Sequence, residues 1–153
     1  MGQEIERKFL VIGEAWKSLG QSIAMRQGYL SSDPDRVVRV RVEGNNAALT
    51  IKGRSVGALR GEWEYAIPVK DAEEMLALCP RPLIEKTRHR ITHQGMLWEV
   101  DEFHGDNAGL VVAEIELTAE DQVFDMPDWI GEEVTQDARY FNSALLKHPF
   151  KDW

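Results

Sequence analysis

Three stretches of the chain place two glutamates two residues apart: Glu4 and Glu6, Glu62 and Glu64, Glu114 and Glu116. Two others place basic side chains at the same spacing, Arg39 with Arg41 and Lys86 with Arg88, and Lys8 continues the first acidic pair. On an extended strand, side chains two apart point to the same face. Paired carboxylates suit hard divalent cations such as Mg²⁺ or Mn²⁺, which take oxygen donors and keep room for water and phosphate. Paired guanidinium groups match phosphate oxygens with a planar fork, and lysines add compact charge. One wall carrying both sets suits a polyanion bound together with a metal ion. For any single strand a water-facing polar side explains the alternation as well, because antiparallel sheets are commonly solvated on one face. The recurrence of the pattern along the chain is what weighs against solvent.

The elements that must position these residues are mostly strands. Apolar and polar residues alternate over residues 4–11, 23–30, 37–43, 47–52, 62–67, 83–92, 96–103 and 110–117, which predicts eight strands. The turn-forming runs Ser31 to Asp35, Gly44 to Asn46, His93 to Gly95 and Gly105 to Asn107 separate several of them. Asp71 to Cys79 reads as a helix capped by Asp71 and stopped by Pro80 and Pro82. A second helix is expected over 137–147, with Tyr140, Phe141, Ala144 and Leu145 as its apolar stripe, and a short connector over 13–20. The fold class is therefore α+β, mainly β, in one domain spanning 1–153.

Eight strands joined largely by hairpins suit a closed antiparallel barrel, since closure leaves no unpaired edge. Two orientations compete. Either the apolar faces fill the interior, or the charged faces do and the apolar ones are covered by the helices, with a homodimer as one further way to cover them. Ionised groups are costly to bury dry, so the second orientation requires a wet tunnel. Its lining by parity would be Lys8, Arg39, Arg41, Lys52, Lys86, Arg88 and Arg90 with Glu4, Glu6, Glu62, Glu64, Asp101, Glu114 and Glu116. Tyr29 shares the tunnel-facing parity of its strand.

Composition narrows the function classes. The chain has 153 residues, 43% hydrophobic and 29% charged, with a net charge of -8. That balance excludes broad nonspecific nucleic-acid binding, which needs a basic surface. No apolar run reaches the ~20 residues of a membrane span. Cys79 is the sole cysteine, which excludes an intramolecular disulfide and a cysteine metal cluster. These features point to a soluble, cytoplasmic protein with no nucleic-acid or membrane partner. There is no Gly-rich phosphate loop and no histidine pair at metal-ligand spacing.

The run Glu4-Ile5-Glu6-Arg7-Lys8 resembles the Glu-x-Glu-x-Lys signature of the CYTH, or triphosphate tunnel metalloenzyme, family. The resemblance continues through Gln27-Gly28-Tyr29-Leu30, Val38-Arg39-Val40-Arg41, Leu49-Thr50-Ile51-Lys52-Gly53, Glu62-Trp63-Glu64, Glu85-Lys86-Thr87-Arg88, Trp98-Glu99-Val100-Asp101 and Ala113-Glu114-Ile115-Glu116-Leu117. It implies the inverted, eight-stranded barrel. It also implies that Lys8, Arg39, Arg41, Lys52, Lys86 and Arg88 hold a small-molecule triphosphate. Glu4, Glu6, Glu114 and Glu116 would ligate Mg²⁺ or Mn²⁺, with Glu62, Glu64 and Asp101 in support. Arg90 has the right parity but matches no motif position.

The reaction so implied is hydrolysis of inorganic tripolyphosphate to diphosphate and phosphate, driven by positioning and charge stabilisation. Lys8 or Tyr29 would orient or deprotonate the nucleophile, and metal-activated water with a glutamate base is the rival route. An adenylate cyclase, a thiamine triphosphatase and a noncatalytic polyphosphate- or nucleotide-binding module remain alternatives. The intact carboxylate pairs favour an enzyme over the module.

Overall fold

The computed structural model describes residues 2–153. Its strands are β1 (Glu4–Val11), β2 (Gln21–Ser31), β3 (Val37–Glu43), β4 (Asn46–Lys52), β5 (Leu59–Arg60), β6 (Glu62–Ile67), β7 (Ile84–His93), β8 (Met96–Phe103), β9 (Val111–Leu117) and β10 (Ile130–Glu133). They form one antiparallel sheet in the order β10-β1-β9-β8-β7-β2-β3-β4-β6, with β5 paired to β1. The eight expected strands are all present, and two short ones, β5 and β10, are added.

Closure depends on the segment from Leu59 to Ile67. Its β6 part pairs with β4 in the register Thr50 to Glu64 and Lys52 to Glu62. Its β5 part pairs with β1, Arg60 opposite Glu4. One bent segment thus bonds to both ends of the sheet and draws it into a nearly closed barrel. The same edge of β1 is shared further along by β10, where Phe9 lies opposite Glu133. An edge divided between two partners leaves little unpaired backbone.

The orientation is the inverted one. Glu4, Arg39, Lys86, Arg88, Asp101 and Glu114 are all buried, and they come from the charged parity of their strands. The apolar parity faces outward under two separate covers, and a third apolar cluster closes one end of the interior. Phe9, Trp98, Val100 and Ile115 pack beneath Trp16, Phe124, Trp129 and Ile130. Val40, Val42 and Ala47 pack against Ala72 and Leu76 of α1 (Val69–Leu78). The third cluster lies on the tunnel side: Tyr29, Val37, Phe103 and Val112 pair directly with Arg39, Lys52, Lys86 and Asp101, and Tyr140 and Leu145 of the C-terminal segment plug that end of the barrel against them, with Phe150 and Trp153 beyond. Burying apolar side chains stabilises by ~1.5–3 kcal/mol each, so two outer layers and the apolar plug at one end hold the barrel together. Over β4 and β6 the outer face is left open, with Ile51, Trp63 and Tyr65 exposed.

Two helical expectations change. Helix α1 starts earlier, after Pro68 in the N-cap position, and Asp71 lies in its first turn without capping it. The expected helix over 137–147 does not form. Two 3-10 turns, Ala138–Tyr140 and Ala144–Leu146, stand there, separated by Phe141 in an extended conformation. Tertiary contacts override the stripe, because Phe141 and Asn142 turn inward to line the barrel cavity. A further close approach seats β2: a Cβ on Gly28 would lie 2.8 Å from Cys79 Sγ and 2.9 Å from Leu83 Cδ2. Only glycine lets the chain after α1 lie across β2 beside Tyr29. Among the described residues no helix is long and apolar enough to cross a membrane.

Candidate active site

The barrel encloses a cavity of about 360 Å³. Its wall carries the cations Lys8, Arg39, Arg41, Lys52, Arg60, Lys86, Arg88 and Arg90 and the carboxylates Glu4, Glu6, Glu43, Glu62, Glu64, Glu99, Glu114 and Glu116. Every residue expected to face the tunnel lines it except Asp101, which is buried behind Lys86 and Arg88. Because the two charge signs balance in number, selectivity depends on which groups are already paired.

Most of the lysines are. Lys8 Nζ lies 2.6 Å from both Glu6 Oε1 and Glu114 Oε2. Burial alone would lower its pKa, but Glu114 and Glu6 raise it well above the ordinary lysine value. Lys8 is thus a fixed ammonium with no lone pair for abstracting a proton. Lys52 Nζ bridges Glu4 at 2.8 Å and Glu62 at 3.3 Å. Lys86 Nζ donates to Asp101 Oδ2 at 2.7 Å and to Asn142 Oδ1 at 2.8 Å. Burial, then Arg88 and Arg41, bring Lys86 down to about 7 against the pull of Asp101. Arg88 grips Asp101 with two hydrogen bonds and reaches Glu114 and Glu99. Arg90 pairs with Glu43 and Glu99, each at 3.1 Å.

Three guanidinium groups differ. Among the described residues, Arg39, Arg41 and Arg60 have no carboxylate partner. Arg39 Nη2 donates to Thr50 at 3.2 Å, and its buried Nε has no partner. Arg41 Nε donates to Gln27 Oε1 at 2.9 Å. Burial, then Arg39 and Arg88, push Arg41 down to about 9. Arg60 donates to the Gly53 carbonyl at 2.7 Å and stacks over Phe141, 5.5 Å from the ring centroid. A buried donor without a partner costs ~1–3 kcal/mol, and cations crowded together repel. The trio has the charge and the free donors to take an anion.

The carboxylates divide into two groups. Oxygens of Glu4, Glu62 and Glu116 all lie within 4.8 Å of one another. Burial raises Glu116 and Glu62, and Glu4 raises both further. Lys52 holds Glu4 lowered against its own burial. An all-oxygen cluster short of positive charge fits a hard divalent cation. Glu6 and Glu114 form the other group, hydrogen-bonded to each other and clamped on Lys8. Burial and then Glu114 push Glu6 up to about 8. Burial opposes ionisation of Glu114, but Lys8, the Glu6 hydrogen bond and Arg88 hold it well below the carboxylate range. Of the expected ligand set, the structure thus brings Glu4 and Glu116 together with Glu62, and sets Glu6 and Glu114 apart around Lys8. Asp101 is committed to Arg88 and Lys86, which outweigh burial and hold it at about 2; it supports cations rather than metal.

Sequence reasoning missed Arg60, Phe141 and Asn142. Arg60 had a usable signal, since it continues the parity of Glu62 and Glu64 across Gly61. Asn142 had none, being one polar residue beside an apolar stripe.

Fold and site together define an antiparallel barrel with an internal tunnel for anion and metal. The chain belongs to the CYTH domain family, whose domain matches residues 2–145. It is similar to the inorganic triphosphatase of Acetivibrio thermocellus, 54% identical across 100% of this chain and 99% of that one. The inorganic triphosphatase of Nitrosomonas europaea is 39% identical over 93% of this chain and 95% of its own. A solved structure of an inorganic triphosphatase superposes with TM-score 0.66 at 36% identity, covering 93% and 96% of the two chains.

Proposed function

We propose that the protein is a divalent-metal-dependent triphosphatase that cleaves inorganic tripolyphosphate to diphosphate and phosphate, the chain acting as one domain. The observation that carries this reading is the pairing pattern of the tunnel: Arg39, Arg41 and Arg60 lack carboxylates, while Glu4, Glu62 and Glu116 are gathered at a second point of the same wall. Similarity over nearly full length to two inorganic triphosphatases supports it.

Arg39, Arg41 and Arg60 bind phosphate oxygens, with Lys52, Lys86 and Arg88 adding charge. Fixed donors in a narrow site stabilise developing charge without reorganising at the moment of reaction. Glu4, Glu62 and Glu116 would hold Mg²⁺ or Mn²⁺, which would supply positive charge to neutralise the phosphates. Tyr29, on the cavity wall, orients the attacking water. Water adds to a terminal phosphorus as the bridging P–O bond breaks; the electron pair leaves with diphosphate, and one proton goes to solvent. Lys8 keeps Glu6 and Glu114 in place.

The wall favours an inorganic chain over a nucleotide. Its non-catalytic aromatic ring, Phe141, already faces Lys8 and Arg60 at 5.9 and 5.5 Å. That leaves it unavailable as a stacking platform for a base.

The test is a phosphate-release panel of tripolyphosphate, ATP, thiamine triphosphate and long-chain polyphosphate with Mg²⁺, Mn²⁺ and Ca²⁺. Tripolyphosphate is expected to be the best substrate. Cleavage of ATP with no release from tripolyphosphate overturns the reading, and cyclic AMP from ATP replaces it with a cyclase.

A further inference from the structure

Gln27 has no solvent exposure, and its amide is saturated by three hydrogen bonds. Arg41 Nε donates to Gln27 Oε1 at 2.9 Å. Gln27 Nε2 donates to Tyr29 Oη at 2.8 Å and to Asn142 Oδ1 at 3.1 Å.

The chemistry of the neighbours fixes which way this amide points. A guanidinium has no acceptor, so the oxygen end of Gln27 must face Arg41. Lys86 Nζ gives one hydrogen to Asp101 Oδ2 at 2.7 Å and another to Asn142 Oδ1 at 2.8 Å, so Asn142 presents its oxygen and Gln27 must donate to it. The second amide hydrogen then goes to Tyr29. The phenolic O–H lies in the ring plane, so an oxygen that receives a hydrogen on one side of its C–O bond turns its own proton to the other. For Tyr29, which lines the cavity, that side is the tunnel.

We infer that Gln27, braced by Arg41 and by Asn142 of the C-terminal segment, is a positioning residue that keeps the Tyr29 hydroxyl aimed into the tunnel as a hydrogen-bond donor. The inference rests on the triphosphatase reading for its consequence in catalysis, and on donor and acceptor chemistry alone for the geometry. It gives the C-terminal segment a role in the site beyond covering the barrel. A fully enclosed amide of this kind is costly to leave half-satisfied, so the orientation is stiff.

The discriminating variant is Gln27→Glu. A carboxylate at that position still accepts from Arg41, but it also accepts from Tyr29 and swings the tyrosine proton away from the tunnel. The expected result is a fall in kcat on tripolyphosphate of roughly 100–1,000-fold, the size of a lost charge-stabilising donor, with KM changed less than about threefold. Activity is expected to recover as pH falls and the carboxyl regains a proton to donate. In a Tyr29→Phe background the same substitution is expected to add no further loss. Wild-type kcat and pH profile in Gln27→Glu, or full additivity with Tyr29→Phe, overturns the inference.

A second measurement is independent of turnover and of whether the variant folds. In the wild-type protein the side-chain amide protons of Gln27 are expected to show through-space NMR contacts to Tyr29 and Asn142. Contacts to the Arg41 guanidinium in their place overturn the inference. If the wild type leaves tripolyphosphate intact while those contacts are present, the proposed function fails and the orientation of Gln27 stands.

Discussion

The Lys86 ammonium donates to Asp101 at 2.7 Å, and both side chains are almost completely enclosed. Arg88 closes on the other edge of the same carboxylate. One buried anion therefore holds two tunnel cations in place. Removing one partner from such a buried set costs ~3–5 kcal/mol, because the remaining charges stay desolvated. Asp101→Asn is expected to destabilise by about that amount in denaturant unfolding at pH 7. Asp101 lies near 2 in the fold against an ordinary 3.8. Its contribution is complete above the ordinary value and is lost as pH falls toward 2. Acid unfolding of the wild type is expected to fall in that window, and an Asn variant as stable as wild type would refute the assignment.

Lys86 itself supplies a second expectation. Burial, then Arg88 and Arg41, bring it down to about 7, so at pH 8 most of the protein carries a neutral amine there. Binding of a polyanion favours the ammonium, so tripolyphosphate binding at pH 8 is expected to take up protons. Calorimetry in buffers of different ionisation enthalpy measures this directly. At pH 6, below the folded value, Lys86 is charged with and without ligand, and its share of the uptake disappears. Uptake at pH 8 that is unchanged in Lys86→Met would show that another group is responsible.

Much of this site was legible because a strand has only two faces. The pairs Arg39 and Arg41, Lys86 and Arg88, and Glu62 and Glu64 could be assigned to one wall from spacing alone. Which wall faced inward was not decided by spacing, since a solvated and an enclosed polar face read identically. The two outer covers and the apolar plug at one end resolve it physically. The grouping of the carboxylates was less accessible. Glu62 joins Glu4 and Glu116 because β5 and β6 close the barrel against β1, a long-range pairing that two residues, Leu59 and Arg60, accomplish. The segment after Asp137 was misread for a related reason. Its stripe suits a helix, yet Phe141 is drawn toward Lys8 and Arg60, and Asn142 toward Lys86 and Gln27. Contacts with four different elements outweigh a weak local preference.

The carboxylate triad predicts how metal affinity responds to substitution. Glu116 has no cationic partner among the described residues and is raised by burial and by Glu4. Glu116→Gln removes one charged ligand and leaves Lys52 paired with the other two. Divalent-ion affinity is expected to fall by at least about 10–100-fold, the loss that removing even an outer-shell partner causes, read from calorimetric titration of Mn²⁺ into the protein without substrate. Affinity held within twofold, with a large loss in Glu6→Gln instead, would move the metal to the Glu6 and Glu114 pair.

Arg60 tests the anion site at the point that motif reasoning did not reach. Its Nε is tied to the Gly53 carbonyl and its plane rests on Phe141, so the remaining edge of the guanidinium is aimed and unpaired. A charge-assisted hydrogen bond is worth ~1.5–3 kcal/mol, equivalent to roughly 10–150-fold in affinity. Arg60→Ala is expected to raise the Kd for tripolyphosphate by a factor in that range. Arg60→Lys restores the charge without the fork, so it is expected to recover only part of the loss. Because Arg60 touches no carboxylate, neither change should lower the melting temperature as Asp101→Asn does. Unchanged tripolyphosphate affinity in Arg60→Ala would confine the anion site to Arg39 and Arg41 and leave Arg60 a structural tie between β5 and the loop at Gly53.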